Sequence, residues 1–158
     1  LVEQEIIELE RKIRSFRNGE IPEEAKNILL EMGKWLETNG EAIYDTTPWF
    51  TFGEGPAKME KAGMFSEDEK LQYCSEDIRF TVNKDMLYAS LLGWPQDGRV
   101  LIKSGTQMYP GEINEVTMLG DGKPLVWEFT EDGLFVTLPN QKPCDHAWVL
   151  KIARQRPF

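Results

Sequence analysis

At 158 residues, with 41% hydrophobic and 28% charged side chains, the chain has the composition of a globular protein with room for one ordinary core. Its formal net charge of −9 excludes non-specific binding to nucleic acid, which needs clustered Lys and Arg against phosphate. No apolar run reaches the length of a membrane span and no leader pattern is present, so neither a nucleic acid nor a membrane is expected as partner.

Val2, Ile6, Leu9, Ile13 and Phe16 recur at spacings of 4, 3, 4 and 3, the seam of a helical hairpin or coiled coil. Acidic residues crowd the first half of this stretch and Arg11, Lys12, Arg14 and Arg17 the second, as a helix dipole prefers. Asn18-Gly19 then turns the chain. A second helix starts at Pro22, with Glu23 and Glu24 in its first turn. Ile28, Leu29, Met32, Trp35 and Leu36 give it one apolar stripe, and Asn39-Gly40 ends it, Gly40 being expected in the left-handed conformation. Residues 1–45 are therefore expected to form a helical hairpin, with Ile6, Leu9, Ile13 and Phe16 buried on Ile28, Met32 and Trp35 or on a second copy of the chain. Two and a half heptads do not hold a coiled coil alone.

Residues 46–76 show little periodicity and several breakers, Gly53-Glu54-Gly55-Pro56 and Gly63 among them, and read as a long surface connection with at most one helical turn. From Asp77 the pattern is that of strands. Ile78–Val82 and Met86–Leu92 flank a turn at Asn83-Lys84-Asp85, Arg99–Lys103 follows the Trp94–Gly98 loop, and Ile113–Leu119 ends at Gly120-Asp121-Gly122. Leu125–Thr130 and Leu134–Leu138 make a hairpin across Glu131-Asp132-Gly133, and His146–Ala153 is the last strand. The fold class is thus α+β, an N-terminal helical hairpin packed on a mostly antiparallel β-sandwich of about seven strands over residues 77–158. Trp148, Leu150 and Ile152 share one parity and are expected to meet Phe80 and Leu87 or Tyr88 across the core, while Val149 on the other parity suggests that the second face is also partly covered.

Ile21-Pro22-Glu23-Glu24, Gly33-Lys34-Trp35-Leu36, Asn39-Gly40-Glu41-Ala42-Ile43-Tyr44 and Pro48-Trp49 resemble the α-L-fucosidase family of glycoside hydrolases. The likeness continues through Gly53-Glu54-Gly55-Pro56, Asp77-Ile78-Arg79-Phe80-Thr81, Leu87-Tyr88-Ala89, Leu92-Gly93-Trp94-Pro95, Leu119-Gly120, Leu138-Pro139 and Ala147–Ile152. The resemblance implies the last helix of a catalytic barrel followed by a C-terminal β-sandwich. It covers residues 20–153 in family order; residues 1–19 depart from it, with a charged helix where the family has a barrel strand. It also implies hydrolysis with retention, which uses an Asp and a Glu about 5 Å apart. Those residues lie on barrel strands that have no counterpart here, so no catalytic residue is nominated, and whether an enzyme activity accompanies the chain stays open.

Other chemistry is sparse. Acidic pairs such as Glu67-Asp68-Glu69 and Glu131-Asp132 fall in turns and charged runs and read as solvated surface. His146 is the only histidine, which removes triads and histidine metal clusters, and on its strand it is expected to cap the buried face. Cys74 and Cys144 are too few for a disulfide scaffold and read as free thiols. Gly53-Glu54-Gly55 lacks the setting of a dinucleotide fingerprint, and no cofactor or metal is expected. Trp94, in a loop before a proline, and Trp49 are the candidates for stacking on a sugar ring, with Trp127 behind them; all three also suit a sandwich core.

Two functions follow as expectations. One is a non-catalytic C-terminal portion of a fucosidase that braces the catalytic barrel, supplied by the same or another chain. The alternative is an independent module that binds carbohydrate, a fucosylated glycan for instance, or associates with itself through residues 1–18. The chain begins at Leu1 and reads as processed, truncated or engineered, with no legible localisation.

Overall fold

The computed structural model describes residues 11, 19, 21–57 and 72–155. The chain divides into two compact units, Leu1–Glu37 and Thr38–Phe158. The expected first helix and its seam, Ile6 to Phe16, lie outside the described residues, as does Glu67-Asp68-Glu69.

Helix α1 spans Glu23–Asn39. Pro22 stands just before it and its carbonyl accepts the Lys26 N–H at 2.9 Å, closing the first turn. The helix does not stop at a left-handed Gly40. The chain tightens into a 3₁₀ turn, Gly40–Ala42, and the first left-handed residue is Asp45, at φ 56°. Gly40 is needed for proximity instead, because a Cβ there would meet the Tyr44 ring at 2.8 Å.

Among the described residues, eight strands follow. They are β1 (Thr47–Glu54), β2 (Ile78–Asn83), β3 (Met86–Leu91), β4 (Arg99–Ile102), β5 (Ile113–Met118), β6 (Trp127–Thr130), β7 (Gly133–Thr137) and β8 (Trp148–Arg154). They form a five-stranded sheet in the order β1-β2-β3-β8-β5 and a three-stranded sheet in the order β4-β7-β6, and every pairing is antiparallel. The eighth strand is β1, which falls where the sequence suggested a surface connection. Pro48 lacks an N–H and is tolerated there because β1 is an edge strand. Its aromatic residues occupy both parities, with Trp49 inward and Phe50 and Phe52 outward, so no alternation announced it.

Between the sheets lies one core. Ile78 and Phe80, Leu87, Ala89 and Leu91, Trp148, Leu150 and Ile152, and Val116 and Met118 come from the large sheet, and Val100, Ile102, Leu134 and Val136 from the small one. Leu87 faces Ile152 and Leu91 faces Trp148 in adjacent strands, so the first hairpin meets the last strand side by side within one sheet. The expected contact across the core is corrected accordingly. The residues across the core come from the small sheet, because the chain crosses between sheets after β3, after β4, after β5 and again before β8.

The outer parity of the large sheet is covered as well: Val149 is fully buried and Tyr88 nearly so. Thr81 Oγ1 donates to Ala42 O at 2.7 Å and the Tyr88 hydroxyl to Glu41 at 2.8 Å, so the Gly40–Ala42 turn sits on that face. The strand β8 starts two residues later than expected. His146 lies before it, exposed and left-handed at φ 71°, and does not cap the buried face.

Both edges of the large sheet are occupied. On the β1 side, the Glu54 carboxylate accepts the backbone N–H groups of Lys103 and Ser104 and the Ser104 hydroxyl, capping a 3₁₀ turn at Lys103–Gln107. Gln107 Oε1 also accepts from the Thr51 hydroxyl at 3.0 Å. On the β5 side, Thr117 pairs with Pro124 and Leu125 N donates to Val116 O at 2.8 Å as the chain passes towards β6.

Candidate interaction surfaces and binding groove

The outer face of the large sheet carries a buried-to-exposed polar cluster. Glu41 accepts from the Tyr88 hydroxyl and is ion-paired with Lys151, which neighbours Tyr88 across β3 and β8. The Lys151 ammonium holds the Glu41 carboxyl below the usual carboxylate range against desolvation, and the Tyr88 hydroxyl adds to the effect. Burial pushes the Tyr88 phenol up, reinforced by the carboxylate it donates to. A depressed carboxyl contributes stability that is present above its unfolded pKa and lost as pH falls through the folded value. Tyr88→Phe is therefore expected to cost about 1 kcal/mol at pH 7, the net worth of one hydrogen bond. The gap to the parent chain should begin to narrow as pH falls below the ordinary Glu pKa of 4.5 and close as pH passes through the lower folded value; urea unfolding at pH 7 and at a series of acid pH values reads both.

Large apolar side chains remain at solvent in two places. On α1, Ile28, Leu29, Leu30 and Met32 are 55–61% exposed. On β1, Phe50 and Phe52 are 71–72% exposed, and Ile43 and Tyr44 precede them at 46% and 60%. A cluster of apolar side chains left at solvent marks an interaction surface more often than a lone one does. Sequence reasoning picked out the α1 stripe but missed Phe50 and Phe52, because their strand was not recognised.

Of the aromatic candidates, Trp49 is 6% exposed, edge-on to Phe80 at 5.4 Å between ring centroids. It fills the core and presents no open indole face. Trp127 is half-buried and packs against the same core. Trp94 is half-buried too, edge-on to Trp148 at 5.1 Å, with the Lys142 ammonium 5.5 Å from its centroid. Part of it lines an open groove with the Cys74–Glu76 turn, the Pro95–Asp97 loop and the outer side of β4 and β7. The groove residues Gln96, Arg99 and Phe135 come from separate segments, and nothing in their local sequence singled them out.

The turn behind Cys74 is held by Asp77, which is fully buried. Its carboxylate accepts from the backbone N–H of Ala57 at 2.9 Å and of Cys74 at 2.8 Å. Desolvation alone would push this carboxyl up, but the two N–H donors and the nearby Arg79 outweigh it and hold it below the usual range. Cys74 is an exposed thiol; Cys144 is half-buried, with Sγ hydrogen-bonded to Asn39 Nδ2 and Ala147 O. Glu131 and Asp132 are exposed in the β6–β7 turn. Among the described residues no group of three His, Cys, Asp or Glu side chains is arranged to hold a metal, and no helix is long and apolar enough to cross a membrane.

The described residues thus make a helix followed by a two-sheet antiparallel β-sandwich with apolar side chains at solvent. The chain belongs to the α-L-fucosidase C-terminal domain family, whose sequence profile matches residues 72–153. It is 32% identical over 129 residues to the α-L-fucosidase of Branchiostoma floridae, covering 78% of this chain and 24% of that protein. It is 31% identical over 142 residues to the plasma α-L-fucosidase of Rattus norvegicus, covering 85% and 27%. The chain thus spans about a quarter of the length of the curated relatives it matches. Among solved structures, the Thermotoga maritima α-fucosidase in complex with fucose superposes with a TM-score of 0.63 at 24% identity, over 85% of this chain and 28% of that one, a likeness of fold.

Proposed function

We propose that this chain is the non-catalytic C-terminal portion of an α-L-fucosidase-like glycoside hydrolase and that it braces the catalytic barrel. The observation that carries the reading is a sandwich closed on its own core while Phe50, Phe52 and the α1 side chains Ile28, Leu29 and Met32 stay at solvent. Full burial of one such side chain stabilises by about 1.5–3 kcal/mol, so several together favour a partner surface. The family relatives, about three times as long since 78% of this chain matches 24% of one and 85% matches 27% of another, supply the candidate partner in their remaining length. The same faces also fit self-association, the second reading.

Two measurements test the proposal. The chain alone is expected to release no chromophore from 4-nitrophenyl α-L-fucoside, and turnover that survives purification and falls when one of its carboxylates is replaced overturns the non-catalytic role. Added to a fucosidase barrel that lacks its own C-terminal portion, the chain is expected to raise the barrel's thermal midpoint. A Phe50→Ser, Phe52→Ser double variant should abolish that rise. A chain that dimerises and leaves the barrel's midpoint unchanged favours self-association and sinks the bracing role.

A further inference from the structure

The groove beside Trp94 is lined by residues other than Phe50 and Phe52. The Gly40–Ala42 turn covers the outer face of the large sheet, whereas the groove runs along the outer side of the small one. Val100 and Ile102 of β4 point into the core, and Arg99, Leu101 and Lys103 alternate outward, with Leu101 directly opposite Phe135 of β7. The groove has a volume of about 740 Å³, inside the usual range of about 300–1,000 Å³ for small-molecule sites.

Its lining is mixed in a particular way. Trp94 and Phe135 supply aromatic surface, and both are held in place: Trp94 by Trp148 and Lys142, Phe135 by the Arg99 guanidinium 5.0 Å from its centroid. Around them stand planar or branched polar groups at solvent, Gln96, Asp97, Arg99 and Glu76. The charges cancel locally. Lys103 Nζ lies 3.3 Å from Glu76, the Asp97 carboxylate accepts the Arg99 backbone N–H at 3.1 Å, and the Arg99 guanidinium lies over the Phe135 ring. In a chain of net charge −9, this is a neutral patch with two acidic and two basic groups. Such a lining offers no cationic cradle for a phosphate and too few carboxylates for a divalent ion. Rigid aromatic surface ringed by amide, carboxylate and guanidinium suits a ligand with an apolar C–H face and several vicinal hydroxyls.

We infer that this groove is a binding subsite for a neutral pyranoside or short neutral oligosaccharide. Cys74 supplies the readout, because it is exposed in the groove wall while Cys144 is half-buried and hydrogen-bonded. The test is the rate of iodoacetamide alkylation of the full chain in methyl α-L-fucoside, lactose or 2′-fucosyllactose. At about 20 mM, at least one of these is expected to slow Cys74 alkylation roughly threefold, the protection that mass action gives for a Kd of about 10 mM. Cys144 should react at an unchanged rate, and glucose 6-phosphate should not protect.

Trp94→Ala would also remove core contacts, so the exposed Gln96→Ala and Arg99→Ala carry the variant arm. Each is expected to raise the half-protecting sugar concentration roughly tenfold, the effect of losing a hydrogen bond to a charged or well-placed polar group, with no change in thermal midpoint. The inference is overturned by the absence of protection with all three sugars, by protection from glucose 6-phosphate alone, or by protection that both variants retain in full. Arg99→Ala should still raise the barrel's midpoint as the parent does, so this inference and the bracing role fail separately.

Discussion

A chain ending at Asp145 is expected to lose its cooperative thermal transition. The deletion removes β8, which is not an edge but lies between β3 and β5, paired with β3 from Met86↔Ala153 to Leu91↔Trp148 and with β5 from Ile113↔Arg154 to Met118↔Leu150. Val149, Leu150 and Ile152 are fully buried. Their loss would leave two strands with open backbone groups and the core with a missing wall, which a domain of about 5–15 kcal/mol stability does not absorb. Leu150→Ala is the milder version and should cost about 2–5 kcal/mol, the usual range for a filled core site. A chain ending at Arg154 should melt as the full chain does, because it keeps the ion pair between Arg154 and the largely buried Glu112, 3.1 Å long. A cooperative melt of the shorter chain near the parent's midpoint would refute this role for β8.

Asp77→Ala is expected to cost roughly 2–5 kcal/mol, since it strands the N–H groups of Ala57 and Cys74 at about 1–3 kcal/mol each. The residue is built in from every side. Its own N–H donates to Cys74 O at 3.1 Å, and its carbonyl accepts from Leu92 N at 2.9 Å. A Cβ on Gly55, which sits at φ 119°, would meet Asp77 Oδ1 at 2.3 Å, and one on Gly93 would meet the Cys74 backbone at 2.4 Å. Two glycines are thus spent on letting this turn close around one carboxylate. Because that carboxyl is held below its ordinary value, its contribution is present above the unfolded Asp pKa and is lost as pH falls through the folded one. Asp77→Asn should therefore be destabilised at pH 7, with the deficit shrinking towards pH 2. Alkylation of Cys74 should also quicken in Asp77→Ala, and an unchanged unfolding midpoint in both variants would falsify the clamp.

Seven strands were legible because their turns are. Asn83-Lys84-Asp85, Gly120-Asp121-Gly122 and Glu131-Asp132-Gly133 stand between runs of clear alternation, and the left-handed Lys84, Gly120, Gly122 and Gly133 sit in those turns. The strand β1 was hidden because Trp49, Phe50 and Phe52 put aromatic residues on both faces, which erases a period of two. Strand order was not legible either. Pairing of β3 with β8 joins residues 57 to 67 apart, from Leu91↔Trp148 to Met86↔Ala153, and no local pattern encodes it. Of the candidate site, Trp94 stood out for its place before Pro95, whereas Phe135 and Arg99 read as ordinary strand residues until the fold set them beside it. The bury of Trp49 followed from the same blind spot as β1: a residue assigned to a loop was a strand residue facing inward.

The two margins of the five-stranded sheet bear on how copies of the chain meet. Glu54 and Thr51 hold the Lys103–Gln107 turn beside β1 through their side chains, whereas along β5 Pro124 pairs with Thr117 and the Leu125 N–H engages Val116 O, so an incoming strand finds that part of the β5 ladder already taken. At that margin the chain is steered away from fibril-like growth, in which one sheet extends another by backbone pairing. Encounters instead run through side chains such as Phe50 and Phe52, which are reversible and responsive to a single polar substitution. The sandwich thus carries its sticky side chains, Phe50 and Phe52, on β1, while the opposite margin at β5 is already closed to pairing at Val116 and Thr117.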